Sequence, residues 1–166
     1  PGGLPGRFHG GFRMRKDKPP LQPRDRALGL LSRREHSARE LKRKLQQKGV
    51  AVDEATEVVG EMGERNYQSD TRFAESLVRK RALDGYGPMR IRAELASHGI
   101  VREAATLAIT SADVDWVQIA RRVFTAKYRD TEAADHKDRQ KRAAWLAARG
   151  FDGATVRAVT RAEVDD

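Results

Sequence analysis

Cysteine is absent from all 166 residues. That excludes disulfides and thiolate metal sites, and it suits a reducing, cytoplasmic setting. No apolar run is long enough to cross a bilayer, and no apolar signal-peptide core stands out. Aromatic residues make up only 6% of the chain and hydrophobic residues 39%, so one thick core is excluded and a modest core, or several small ones, is expected. With 34% charged residues the balance favours helices over a β-sandwich. The length suits one ordinary domain or several small units in a row.

Catalytic motifs are equally scarce. The chain has no G-x-x-x-x-G-K-[ST] loop to cradle phosphates, and no H-E-x-x-H or other close pair of metal ligands. His9, His36, His98 and His136 are scattered, and each reads as a surface histidine. Most carboxylates have a basic residue three or four positions away, as Glu75 has Arg72 and Arg79. Such pairs stabilise a helix by roughly 0.2–0.5 kcal/mol each. The expectation is a non-enzyme without cofactor or metal. The enzymatic rival, a nuclease using Asp/Glu clusters and a divalent cation, requires turnover that a chelator abolishes.

Basic charge is abundant. The formal net charge is +9 and the sequence pI about 10.2, which points to an anionic partner. Residues 1–26 hold seven Lys/Arg against two Asp/Glu, so more than half the excess lies in the N-terminal segment and the body is nearly balanced. The opening "PGGLPGRFHGGFRMRKDKPPLQP", residues 1–23, is Gly/Pro-rich and basic with no apolar period. It reads as a disordered arm, either a tail that feels phosphate at long range or a loose terminus.

From Arg24 onward the pattern is helical and repeats. "SARELKRKLQQKGV" (37–50), "GPMRIRAELASHGI" (87–100) and "DRQKRAAWLAARGF" (138–151) each open on a helix-start residue: Ser37, Gly87 with Pro88, or Asp138. Each has a leucine four residues before a glycine (Leu45, Leu95, Leu146), then Gly49, Gly99 or Gly150, then an apolar residue. The glycines are 50 and 51 residues apart. Serine or aspartate caps a first turn, proline suits a first helical position, and the glycine ends the helix in the left-handed conformation. Flanking stretches supply two more amphipathic helices per copy, with Asp53 as a cap for the third helix of the first copy. No stretch shows sustained period-two alternation. The fold class is therefore all-α: three tandem three-helix repeats, over 24–66, 67–112 and 113–166, stacked into an elongated, curved body.

The arginines of the middle copy are the candidate site. Arg72 and Arg79, two helical turns apart, project from one face opposite Phe73 and Leu77, and Arg90 and Arg92 flank buried Ile91. The Gly85-Tyr86-Gly87-Pro88 corner places Tyr86 at its tip. With Lys80 and Arg81, six basic residues stand beside three acids, Asp70, Glu75 and Asp84. Arg81 falls nearer the apolar side, where it can pack its stem or cap a helix end. A salt-bridged, solvated face is the bland alternative; an arginine excess suits phosphate or carboxylate, which its planar fork binds in pairs. Arg39, Lys42 and Arg43 form a secondary basic face on the first copy.

These residues carry a family resemblance. "ALGLLSRREHSARELKRKL", "YQSDTRFAESLVRKRALDGYGPMRIRAEL" and "AAWLAARGFD" resemble the RecX family, bacterial regulators of the RecA recombinase. The most specific part is R-F-A-E-S-x-V-R followed by G-Y-G-P-x-R-I-R. The likeness runs from about Arg24 to the C-terminus and leaves out the basic arm. Asn66 stands where the family often has glycine, and Arg142 where the first two copies carry Leu41 and Ile91; the second departure bears on how the third copy packs. The resemblance implies an all-helical, cytoplasmic modulator that binds RecA and the RecA–DNA filament. Such proteins inhibit RecA ATPase, strand-exchange and coprotease activities, and so act on recombination, repair and the SOS response. It also implies that the Arg72–Arg92 surface, with Tyr86 at its tip, grips RecA and nearby phosphates. Single- and double-stranded DNA are possible further ligands, and the protein is expected as a monomer. The alternative is a stand-alone helical DNA-binding protein of helix-turn-helix type.

Overall fold

The computed structural model describes residues 18–129 and 131–161. Most of the basic arm read from the sequence, residues 1–17, lies outside the described residues. Nine helices and no strand occur among those described. They are α1 (Pro23–Arg33), α2 (Ala38–Gln47), α3 (Val52–Glu64), α4 (Asp70–Leu83), α5 (Pro88–Ser97), α6 (Arg102–Ser111), α7 (Trp116–Tyr128), α8 (His136–Ala148) and α9 (Gly153–Arg161). No helix among the described residues is long and apolar enough to cross a membrane.

Local chemistry sets most of the helix ends. Ser37, Ser69, Asp115 and Asp135 each precede a helix, and their side-chain oxygens accept from the backbone N–H three residues on. Two starts differ from the sequence reading. Helix α3 begins after Ala51, with Asp53 inside its first turn rather than at its cap. Helix α8 begins after Asp135, whose carboxylate accepts from Asp138 N at 2.8 Å. Both displaced residues still favour the positive end of the helix dipole. Asn66 takes the left-handed conformation at φ 60°, as asparagine can.

Each helix triplet closes around its own core. Ala27, Leu41, Leu45, Ala55, Val59 and Met62 form the first. Phe73, Leu77, Val78, Ile91, Leu95 and Ile109 dominate the second, and Ala120, Phe124, Leu146, Phe151, Val156 and Val159 make the third. Leu45, Leu95 and Leu146 are all fully buried, so truncating any one to alanine should cost about 2–5 kcal/mol.

The third core accommodates Arg142 in a leucine position by pairing the ends of its guanidinium, while its Nε is enclosed without an acceptor. Arg142 is buried; its guanidinium donates to the carbonyls of Thr131 and Glu132, pairs with Asp138 and lies 4.4 Å from the centre of the Tyr128 ring. Another reading is corrected here: His36 is buried, 1% exposed, and His98 is half-buried, because both sit where the first repeat meets the second. Hydrogen bonds and ion pairs run between consecutive triplets; none joins the first to the third among the described residues.

Candidate functional site

The corner between α4 and α5 is built by contact with the third repeat. A Cβ on Gly85, which sits at φ +84°, would overlap the Val123 side chain, and one on Gly87 would overlap the backbone of Gly150 and Phe151. Only glycine allows this approach. Gly87 N donates to Arg149 O at 2.8 Å and Met89 N to Gly150 O at 3.0 Å. The first N–H groups of α5 are therefore satisfied by the turn that ends α8 instead of by a side-chain cap.

Tyr86 at the corner's tip lies between two arginines. The Arg90 guanidinium carbon is 4.3 Å from the ring centre and that of Arg149 is 4.4 Å. Arg149 also lies 5.2 Å from the Trp145 ring, and Lys127 Nζ 5.5 Å from the same ring. All are within cation–π range. The result is a ladder of alternating cations and aromatic rings, Lys127–Trp145–Arg149–Tyr86–Arg90, across the second and third repeats. None of its three cations has an ion-pair partner among the described residues. Arg149 is fixed by donating to Gly85 O at 2.8 Å and Asp84 O at 3.0 Å, and Arg122 donates to Leu83 O at 2.9 Å. Two arginines of the third repeat thus neutralise the negative end of α4.

The structure separates the arginines grouped in the sequence. Arg72 turns inward to the first repeat: it pairs with Glu35 at 2.8 Å and donates to Asn66 Oδ1, Asn66 O and Tyr67 O. Arg81 binds Glu94 with both ends of its fork at 2.7 Å and reaches Asp84 at 3.1 Å. The hydrogen bonds from Arg81, set against burial, hold the Glu94 carboxyl below its ordinary range. Arg39 lies over Gly99 and points to Ser97 O at 3.4 Å. Lys80 is exposed with a long contact of 3.6 Å to Asp84. Arg79 and Arg90 are exposed, and Arg43 is exposed and Lys42 half-buried; none of the four forms an ion pair among the described residues. Arg92 is half-buried and its Nε is enclosed with no acceptor.

Two features of the sequence reading change accordingly. Glu75 forms no ion pair among the described residues, whereas Glu35 and Glu94, left out of the neutralising acids, bind Arg72 and Arg81. Arg122 and Arg149 were missed because they reach the corner from a helix triplet 39 to 65 residues away, and Trp145 and Lys127 because they join it only through Arg149. One signal was available: Arg149 precedes Gly150 as His98 precedes Gly99, which marks it as a junction residue.

Between the first and second repeats lies an open cavity of about 320 Å³, lined in part by Arg34, Glu35, Glu40, Arg81, Glu94 and His98. Burial alone would push Glu40 up. The hydrogen bonds and charge of Arg34, with His36 and Lys44 nearby, instead bring it down to about 2. His36 is pushed below its ordinary value, chiefly by burial. No group of three metal-ligating side chains occurs among the described residues. Glu35, Glu40 and Glu94 are paired with arginines, whereas Arg79, Arg90 and Glu75 form no ion pair among the described residues.

The family models for the first, second and third three-helix domains of RecX match residues 24–62, 69–109 and 113–160. The regulatory protein RecX of Xanthomonas oryzae pv. oryzae (strain PXO99A) is 44% identical over 151 residues, covering 91% of each chain. That of Stenotrophomonas maltophilia (strain R551-3) is 46% identical over 153 residues, covering 92% of this chain and 94% of that one. Among solved structures, RecX from Lactobacillus salivarius superposes with a TM-score of 0.70 at 20% identity, covering 86% of this chain and 94% of that one.

Proposed function

The chain belongs to the RecX family, and from that membership we propose that it regulates the RecA recombinase in the cytoplasm. On this reading it binds RecA and its filament on DNA and inhibits ATP hydrolysis, strand exchange and coprotease activity. It thereby modulates recombination, repair and the SOS response as a monomer without cofactor or catalysis of its own. The observation that carries the site is the sorting of charge on the second repeat. Arg72 and Arg81 are held by internal carboxylates, while Arg79, Lys80 and Arg90 are exposed, Arg90 against the Tyr86 ring. The exposed set is what an acidic protein groove or a phosphate meets, and Arg72, Arg81 and Arg92 position or flank it. Arg39, Lys42 and Arg43 make a weaker second face.

The test is a titration of DNA-dependent ATP hydrolysis by RecA. Reversing charge at Arg79 and Arg90 together should weaken inhibition by about tenfold or more, as expected for two contacts at an interface. Reversal at Arg157 and Arg161, on α9, should change it little. Arg72→Glu is unsuitable as a probe of contact, because it breaks four internal hydrogen bonds. Inhibition unchanged in the Arg79/Arg90 variant would place the working surface elsewhere.

The cation–aromatic ladder favours a share of direct DNA binding. The ring faces of Tyr86 and Trp145 are already covered by Arg90, Arg149 and Lys127, so it is these unpaired cations, and not the rings, that phosphates would meet. Binding to single and double strands alike with a steep salt dependence supports that share. Binding confined to one duplex sequence would favour the stand-alone DNA-binding alternative.

A further inference from the structure

The outer face of α5 and α6 has more exposed apolar surface than its sequence pattern calls for. Met89, Val101 and Leu107 are 58%, 64% and 64% exposed, and all three belong to this one helix pair. Between the helices runs a groove of about 390 Å³, floored by Ala93, Ala96, Ile100 and Ala105. It continues into a shallower groove past Leu107 and Thr110. Met89, Ala93 and Ala96 lie at i, i+4 and i+7 on α5, opposite Ile91 and Leu95, which fill the core. A stripe at helical spacing on the solvent side of a helix has no folding role here, because the core of the second repeat is complete without it.

The charge of the deeper groove is one-sided, and the only acid along the shallower continuation is Glu103. Arg92 and Arg102 line the deeper groove, and neither forms an ion pair among the described residues. Arg92 Nε is enclosed by protein with no acceptor. The Nε is closed off, but the rest of this half-buried side chain's guanidinium has no acidic partner among the described residues, and an incoming carboxylate would pair with it there. The small floor residues leave room for large side chains from a partner helix, and Met89 at the mouth can adapt to their shape.

We propose that this groove docks an acidic amphipathic helix of a partner protein, with leucine-sized side chains over Ala93 and Ala96 and carboxylates on Arg92 and Arg102. This is the helix-in-groove mode of recognition. The proposal rests on the regulatory reading, in that RecA is the protein offering the helix. It adds a contact separate from the Arg79–Arg90 surface, which meets phosphate and acidic groups without an apolar floor.

The experiment measures binding of the full chain to RecA, without DNA and on single-stranded DNA with nucleotide, for wild type and two groove variants. Arg92→Glu/Arg102→Glu removes the charge match. Ala96→Glu, at an exposed site that leaves the core intact, blocks the floor and repels an acidic helix. Each should weaken binding about tenfold or more while helicity and melting temperature of Ala96→Glu stay near wild type. If wild type fails to bind RecA, the regulatory reading itself falls. If wild type binds and Ala96→Glu binds equally, the groove proposal is wrong while the regulatory reading stands. A wild-type dimer that Arg92→Glu/Arg102→Glu dissolves would make the groove a self-interface. A loss confined to the DNA-bound arm would make its ligand nucleic acid. Either result overturns the acidic helix.

Discussion

At the junction of the second and third repeats main chain meets main chain, with Gly87 N on Arg149 O and Met89 N on Gly150 O. At the junction of the first and second the same gap is filled by side chains. Arg39 reaches Ser97 O, and Ser37 Oγ shares a hydrogen bond with His98 Nδ1, both at 3.4 Å. The positions correspond one to one. Ser37 answers to Gly87, His36 to Tyr86, and the helix-ending pair His98-Gly99 to Arg149-Gly150. Ser37 caps its own helix, its hydroxyl oxygen accepting from Glu40 N at 3.1 Å. Gly87 has no side chain to do so, and α5 takes its cap from the neighbouring repeat. A serine's Cβ and hydroxyl keep the two turns apart; a glycine lets them touch. One residue therefore separates a close backbone joint from a looser one held by polar side chains, including Glu35 with Arg72.

The strongest test of this difference is at the two glycines that end α5 and α8. Both are left-handed, at φ +78° for Gly99 and +97° for Gly150, so alanine costs about 1–2 kcal/mol at either. The neighbours differ. A Cβ on Gly150 would overlap Arg90 N and Cβ, which belong to the first turn of α5 and cannot retreat alone, whereas one on Gly99 meets the far end of the Arg39 side chain. Overpacking adds roughly 1–3 kcal/mol in the first case and little in the second. Gly150→Ala should therefore lower the urea midpoint distinctly more than Gly99→Ala. Equal losses would mean that the second junction is no tighter than the first.

That asymmetry also shows what could be read from the chain and what could not. Leu45, Leu95 and Leu146, with their trailing glycines, announce three copies because burial and helix termination are local demands that a repeat must meet each time. The Gly-Tyr-Gly-Pro corner was legible for the same reason. Arg72 was expected to project outward, and it turns inward because its carboxylate, Glu35, lies 37 residues away in the loop before α2. Spacing within a helix gives the direction of a side chain but not the distant partner it meets. His36 looked like a surface residue among polar neighbours, since nothing in "REHSA" shows that the next repeat covers it. Asp138 and Asp53 share the composition of true caps, and only the chain's path decides which acidic residue stands outside the first turn.

Acid should strain the two junctions unequally. His36 Nδ1 lies 3.0 Å from Arg34 O, and its Nε2 is 3.1 Å from Lys44 Nζ. The neutral ring donates to the first and accepts from the second. Burial, with the cations Arg34 and Lys44 nearby, holds its pKa below the ordinary value of 6.5. The unfolded chain then binds a proton at higher pH than the folded one. Stability from His36 is complete above about pH 6.5 and declines as pH falls from there through the folded pKa. Glu40, ordinarily near 4.5 and brought down to about 2, adds a second loss as pH falls below about 4.5. The residue answering to His36 at the other junction is Tyr86, not a histidine. Melting temperature should therefore fall between pH 7.5 and 5.5, and His36→Gln should flatten that slope. A slope that survives the substitution would move the acid sensitivity away from the first junction.

The smallest expected effect comes from exchanging the two residues that distinguish the joints. Ser37→Gly gives the first junction the second junction's residue. Glycine is itself a tolerated N-cap, so losing the Ser37 oxygen costs only a few tenths of a kcal/mol, and the contact with His98 is already long. The turn at Gly99 gains permission to approach but has no further contact compelling it, because His98 carries no fork like that of Arg149 to draw the turns together. Gly87→Ser is not the mirror of this change. Its Cβ would enter the backbone of Gly150 and Phe151, which is an overpacking cost of roughly 1–3 kcal/mol. A serine oxygen could recover only about 1 kcal/mol of it by capping α5. Urea unfolding of both single variants reads the difference directly. If Ser37→Gly destabilises as much as Gly87→Ser, the joints are alike in tightness, and the main-chain hydrogen bonds of the second one add no constraint of their own.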